Sequence, residues 1–157
     1  MKIKSMYAML LAVMTLAFAG CSKDDDNGPA TDPVEVKGAL KVTVTTSSSF
    51  DAANSEVSVS GSSSDANGKF QSWKVNGDAG PAGQILHTVD KEYFQGGATA
   101  ILISPDTYLT ASVNISAFTI DQDFTLSYKI EQGDKVLVDK TVEVKQQATP
   151  ISLAFTY

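Results

Sequence analysis

Along most of this chain, apolar and polar residues alternate one for one. Leu40, Val42 and Val44 alternate with Lys41, Thr43 and Thr45, and Val57 and Val59 with Glu56, Ser58 and Ser60. Leu109, Ala111, Val113 and Ile115 alternate with Tyr108, Thr110, Ser112 and Asn114. Phe124, Leu126, Tyr128 and Ile130 alternate with Thr125, Ser127, Lys129 and Glu131, and Ile151, Leu153, Phe155 and Tyr157 continue the pattern. A two-residue period puts the two kinds of side chain on opposite faces of a β-strand. One face is then buried and the other solvated, as in antiparallel sheets. No window sustains the 3.6-residue period of a helix.

Three further segments read as strands. Ala98–Ile103 is apolar on both faces, which predicts a central strand covered on both sides. Phe70–Val75 is expected to point Trp73 and Val75 inward, and Gln84–Val89 is a weaker strand. A hairpin is predicted from Asp123 to Lys145, turning at Gln132-Gly133-Asp134. Lys140 interrupts its returning arm, so a bulge or an edge position is expected near Asp139-Lys140. Turn signals punctuate the runs at Ser47-Ser48-Ser49, Asp65-Ala66-Asn67-Gly68, Asn76-Gly77-Asp78, Gly96-Gly97 and Ser104-Pro105-Asp106. Eight to ten short strands so punctuated predict an all-β sandwich or small barrel spanning residues 34–157. Tyr157 is expected to belong to the sheet.

The N-terminus is of another kind. Lys2 and Lys4 precede an apolar run from Met6 to Phe18, broken only by Thr15 and the Tyr7 hydroxyl. That run is too short to span a bilayer as a helix but fits the apolar region of an export signal. It ends Phe18-Ala19-Gly20-Cys21, which resembles the lipobox of bacterial lipoproteins, with Phe18 where Leu is usual. The resemblance implies removal of residues 1–20 and acylation of Cys21. Ser22-Lys23-Asp24-Asp25-Asp26 then resembles the acidic surface-export signal of Bacteroidetes-type lipoproteins. The same charges also serve as a solvated linker. Residues 21–33 read as the lipidated Cys and a flexible acidic tether, of which 22–33, rich in Gly, Pro, Asp and Asn, could reach about 40 Å when stretched. The implied location is the outer membrane, lipid-anchored, with cell-surface display expected and the periplasmic face the alternative.

Composition narrows the classes of function. The 157 residues carry 12 basic groups, all lysine, against 18 acidic ones, for a net charge of −6. An acidic chain without a guanidinium is a poor nucleic-acid binder. The single Cys excludes an internal disulfide framework, and the single His leaves a His/Cys zinc site short of ligands. Loss of residues 1–20 would remove Lys2 and Lys4 and deepen the negative charge.

Val57-Ser-Val-Ser-Gly61-Ser-Ser-Ser-Asp65-Ala-Asn-Gly68-Lys-Phe-Gln-Ser-Trp73-Lys-Val-Asn-Gly77-Asp78-Ala-Gly80 resembles the strand–turn–strand of PKD-type immunoglobulin-like domains. The final turn here has one residue inserted. Pro105-Asp106-Thr107-Tyr108 resembles the Pro/Gly-Thr-Tyr strand of the same family. The resemblance implies a single immunoglobulin-like β-sandwich in which Trp73 is a core aromatic. Surface domains of this kind act as spacers or adhesion modules, though a fold alone carries no function.

Residues able to do chemistry are sparse. His87 lies in a predicted strand, and no Gly-x-Ser-x-Gly elbow presents a nucleophile. Asp121/Asp123 and Asp90/Glu92 are paired carboxylates beside loops, where acids commonly serve solubility. Asp65, Asn67 and Asp78 offer oxygens on neighbouring turns and are the candidate Ca²⁺ ligands, against the reading that Asp-x-Asn-Gly is simply a turn. Tyr93, Phe94 and Tyr108 are the candidate exposed platform for a ligand such as a glycan, against the reading that they cap the core. The expectation is a non-enzymatic, cofactor-free surface lipoprotein with a binding or adhesion sandwich. The alternatives are a glycan-capture accessory of a polysaccharide uptake system and an anchor or subunit of a surface fibre.

Overall fold

The computed structural model describes residues 36–157. The predicted export signal, Cys21, the tether and residues 34–35 lie outside the described residues. The chain divides into two units, Met1–Asp32 and Pro33–Tyr157, and all the described strands belong to the second.

The alternating runs form the long strands. They are β2 (Leu40–Thr46), β3 (Ser55–Ser64), β7 (Thr99–Ile103), β9 (Thr110–Thr119), β10 (Phe124–Gln132), β11 (Lys135–Val144) and β12 (Ile151–Thr156). Short pieces complete the set: β1 (Val36–Lys37), β4 (Lys74–Val75), β5 (Asp78–Ala79), β6 (His87–Val89) and β8 (Thr107–Tyr108). These are twelve strands among the described residues, more than the eight to ten expected, because four of them, β1, β4, β5 and β8, are only two residues long. One sheet has the order β11-β10-β2-β7-β4-β5, the other β12-β9-β3-β6, and β1 pairs with β8 apart from both. All pairings among the described strands are antiparallel. The fold is an all-β sandwich of two sheets.

Register explains the core. Val42 stands opposite Ile130 on one side and Leu102 on the other; Val44 stands opposite Tyr128 and Ala100. In the second sheet Val57 faces Ala117 and Val59 faces Ile115. Cross-strand partners share a face, so these rows point together into the space between the sheets. All of them are buried. Phe50 closes one end, edge-on to Phe94 at 6.4 Å and to Phe124 at 5.0 Å between ring centroids. Such edge-to-face pairs add to simple burial.

Four sequence expectations are corrected. The segment Phe70–Val75 is strand only at Lys74–Val75. Phe70 makes a single bridge to Ser64 in one sheet, whereas Lys74 pairs with Ile103 in the other, so the chain is crossing between layers. Gln84–Val89 is likewise strand only at His87–Val89. The apolar stretch Ala98–Ile103 is not covered on both sides: Ala100 and Leu102 are buried, but Ile101 and Ile103 are only half-buried. Ile103 stands between Lys41 and Lys74 in its two pairings, on the face turned away from the core. The bulge in the β10–β11 hairpin lies at Leu137, skipped between Glu131↔Val136 and Ile130↔Val138, and not at Asp139-Lys140. The expected edge position does hold, since β11 ends its sheet. Lys140 stands opposite the buried Tyr128, a charge at a core-facing register that only an edge tolerates.

One chain reversal and one chain end shape the surface. Asn76 and Gly77 both have positive φ, +52° and +94°, as a two-residue type I′ hairpin requires between β4 and β5. Tyr157 extends β12, its N–H and carbonyl both bonded to Ala111 at 2.9 Å, as expected of a sheet residue.

Candidate functional site

The expected aromatic platform does not form. Lys91–Phe94 is one 3-10 turn, on which the Tyr93 and Phe94 rings meet edge to face at 5.7 Å between centroids but differ in burial. Tyr93 is 44% exposed while Phe94 is 0% exposed and packs on Phe50. The Tyr93 hydroxyl donates to the Thr99 carbonyl at 3.1 Å, which fixes the ring against the surface. Tyr108 is also 0% exposed. Its alternation with Leu109 and Ala111 is misleading because β8 leaves the plane of β9 to pair with β1. Its hydroxyl accepts a hydrogen bond from Gln132 Nε2 at 2.8 Å. Burial raises the Tyr108 pKa, the Gln132 bond opposes that rise, and the nearby Tyr157 adds to it. Burial raises the Tyr157 pKa as well. Of the three platform candidates, only Tyr93 offers a ring face to solvent; Phe94 and Tyr108 are core residues.

The candidate cation ligands are divided between the sheets. Asp65 and Asn67 follow β3, and Asp78 stands on β5 of the other sheet. Asp65 Oδ1 accepts the N–H groups of Asn67 and Lys69, both at 2.9 Å, and the Asp65 carbonyl accepts from Gly68 at 3.0 Å. A carboxylate so engaged builds its own turn. Among the described residues no three His, Cys, Asp or Glu side chains cluster as metal ligands would.

Of the paired carboxylates, that of Asp123 is occupied locally. Asp123 accepts the Gln146 N–H at 2.6 Å and ties the start of β10 to the chain beyond β11. The Asp90 carbonyl accepts the Tyr93 N–H at 3.1 Å and opens the 3-10 turn. Asp121 and Glu92 flank these positions without forming a joint site.

Two arrangements are not evident from the pattern along the chain. Trp73 fills the crossover between the sheets, its Nε1–H donating to Ser63 Oγ at 3.0 Å. Ser63 in turn donates to Gln71 Oε1 at 3.1 Å. The indole lies on Gly61, where an added Cβ would come within 2.5 Å of the ring. His87, on β6, is 2% exposed and packs on Gly80, and its Nε2 has no hydrogen-bond partner. The signal available in the sequence was Gly61 and Gly80, glycines in or beside strands, which often mark close approach.

The outer face of the smaller sheet carries two hydroxyl rows. Ser58, Ser116 and Ser152 form one cross-strand row, and Ser62, Ser112 and Thr156 another. The outer face of the larger sheet carries a hydroxyl row of its own, Thr141, Ser127, Thr45 and Thr99, beside Lys129 and Glu131, which pair at 2.6 Å. That bond raises the Lys129 pKa and lowers that of Glu131.

No family profile matches the sequence, and no curated protein matches it. Two solved structures share the fold. One is a domain of unknown function, DUF4425, from Bacteroides vulgatus, with TM-score 0.53, 15% identity, 77% of this chain covered and 94% of that one. The other is a DUF4425 family protein from Bacteroides ovatus, with TM-score 0.51, 10% identity, 78% of this chain covered and 95% of that one. At such identities the likeness is one of fold: this chain is built like β-rich Bacteroides domains whose function is unknown.

Proposed function

We propose that this chain is an outer-membrane lipoprotein, acylated at Cys21 and displayed at the cell surface, whose β-sandwich is a non-enzymatic binding or adhesion module. The observation that carries the proposal is the position of the only Cys in the chain. It directly follows Ala19-Gly20 at the end of an apolar run and directly precedes Ser-Lys-Asp-Asp-Asp. An anchor of several acyl chains holds firmly, since each buried methylene adds about 0.8 kcal/mol. The Bacteroides origin of the fold neighbours accords with a Bacteroidetes-type export signal. Trp73, packed on Gly61 between the sheets, accords with the core aromatic of an immunoglobulin-like domain. The side chains that hydrolysis would need are poorly placed for it: His87 is buried in β6, Asp123 holds Gln146, and Asp65 holds its own turn. Glycan capture loses its main support, because Phe94 and Tyr108 are in the core.

Metabolic labelling with palmitate tests the anchor. The wild-type chain is expected to take up label and partition into membranes, and Cys21→Ser to do neither. Labelling that survives Cys21→Ser refutes lipidation at this residue. Protease treatment of intact cells tests display: a protected domain moves the proposal to the periplasmic face.

A further inference from the structure

The described strands leave four sheet edges in the two main sheets, and three of them are guarded. β11 carries Lys135, Asp139, Lys140 and Glu143 and a bulge at Leu137. β5 is two residues long and includes Asp78, and β6 is three residues long. Charges, bulges and shortness are the usual devices against edge-to-edge pairing. β12 has none of them. It is six residues, Ile151-Ser-Leu-Ala-Phe-Thr156, straight in its pairing with β9, and no charged residue occurs in 146–157. A short, uncharged, Pro-free segment of β-forming residues is a strong template for strand addition.

Its hydrogen-bonding direction follows from the register. Tyr157 exchanges both backbone bonds with Ala111, so the odd-numbered residues of β12 bond toward β9. The N–H and C=O groups of Ser152, Ala154 and Thr156 therefore point away from the sheet, and no described strand lies beyond them.

We propose that β12 is a self-association edge, and that its occupant is β12 of a second copy, antiparallel about a two-fold axis at Ala154. The side chains argue for a second copy. With the axis there, Ala154 meets Ala154 of the partner subunit and Ser152 meets Thr156 of the partner subunit, small against small on the hydroxyl face. On the inner face Leu153 meets Phe155 of the partner subunit. Leu153 and Phe155 are only half-buried in one copy, and the pairing covers them. Three residue pairs exchanging two bonds each give about six new backbone hydrogen bonds. No charge on either strand opposes like meeting like. The serine and threonine rows of the outer face then continue from one copy into the next. Pairing of this kind does not depend on the lipid anchor.

The test uses the full chain in detergent, with micelles in excess over protein, studied by analytical ultracentrifugation and amide hydrogen exchange. The expected result is a mass rising to that of two chains with concentration, with the Ser152, Ala154 and Thr156 amides gaining protection in step. Ala154→Pro removes the central outward N–H and should weaken association at least about tenfold. Ala154→Lys keeps the backbone donors but sets two ammonium groups opposite each other, and should weaken association similarly while leaving the monomer folded. A single-chain mass at every concentration overturns the proposal and leaves the edge to a strand from a different protein. Association undiminished in Ala154→Lys also overturns it, by placing the contact elsewhere.

Discussion

The indole of Trp73 lies across Gly61 so closely that a Cβ on residue 61 would sit 2.5 Å from Cζ3 and 2.6 Å from Cε3. The ring is fully buried and its Nε1–H is held by Ser63 Oγ, so it cannot swing aside. Gly61→Ala must therefore push β3 away from the crossover. The expected cost is about 1–3 kcal/mol, the usual range for overpacking a core. Denaturant unfolding of the variant measures it, and a red-shifted tryptophan emission should accompany it because Trp73 is the only Trp.

Tyr93 and Phe94 are neighbours in sequence with opposite environments, and their alanine variants should separate accordingly. Phe94→Ala removes a ring stacked edge-on to Phe50 and should cost about 3–5 kcal/mol. Tyr93→Ala gives up a hydrogen bond to Thr99 and a half-exposed edge-on contact with Phe94, and should cost less, about 1–2 kcal/mol. Thermal unfolding of the two variants side by side is the measurement. Equal losses would contradict the burial difference.

Tyr108 and Tyr157 give the domain an alkaline limit. Burial raises both pKa values above the ordinary tyrosine value of 10.0, so the folded state holds these protons more tightly than the unfolded chain. Their contribution is complete below pH 10 and is lost as pH rises through the folded-state values. Stability measured by urea unfolding should fall from about pH 10 upward. In the double variant Tyr108→Phe, Tyr157→Phe that alkaline fall should become shallower, even though Tyr108→Phe also forfeits the Gln132 bond.

Asp65 distinguishes a turn from a cation site. If its carboxylate serves the N–H groups of Asn67 and Lys69, Asp65→Ala should lose about 1 kcal/mol in calcium-free buffer. Wild-type melting should be the same with millimolar Ca²⁺ or with a chelator. A rise in melting temperature with Ca²⁺ that Asp65→Ala abolishes would restore the metal reading.

The alternation of Leu40–Thr46, Ser55–Ser64, Thr110–Thr119 and Phe124–Gln132 identified the long strands and their inward faces, because period-two burial is a local property. Alternation misleads at Tyr108, whose strand changes partner within one residue. It misleads also at Phe70–Val75, where an alternating segment passes between sheets without staying in either. Phe94 illustrates a third failure. Two adjacent aromatics on one turn look alike in sequence, yet only one can face Phe50.

What was decided along the chain is therefore the class of fold and the hairpin turning at Gly133-Asp134. Each depends on residues close in sequence. Which edges are exposed is a different matter, because an edge is defined by the strand that is not there. The tertiary structure put the charged, bulged β11 at one edge and the uncharged β12 at another. It also set Trp73 on Gly61 and buried Phe94 and Tyr108. Those outcomes follow from pairings between residues far apart in sequence.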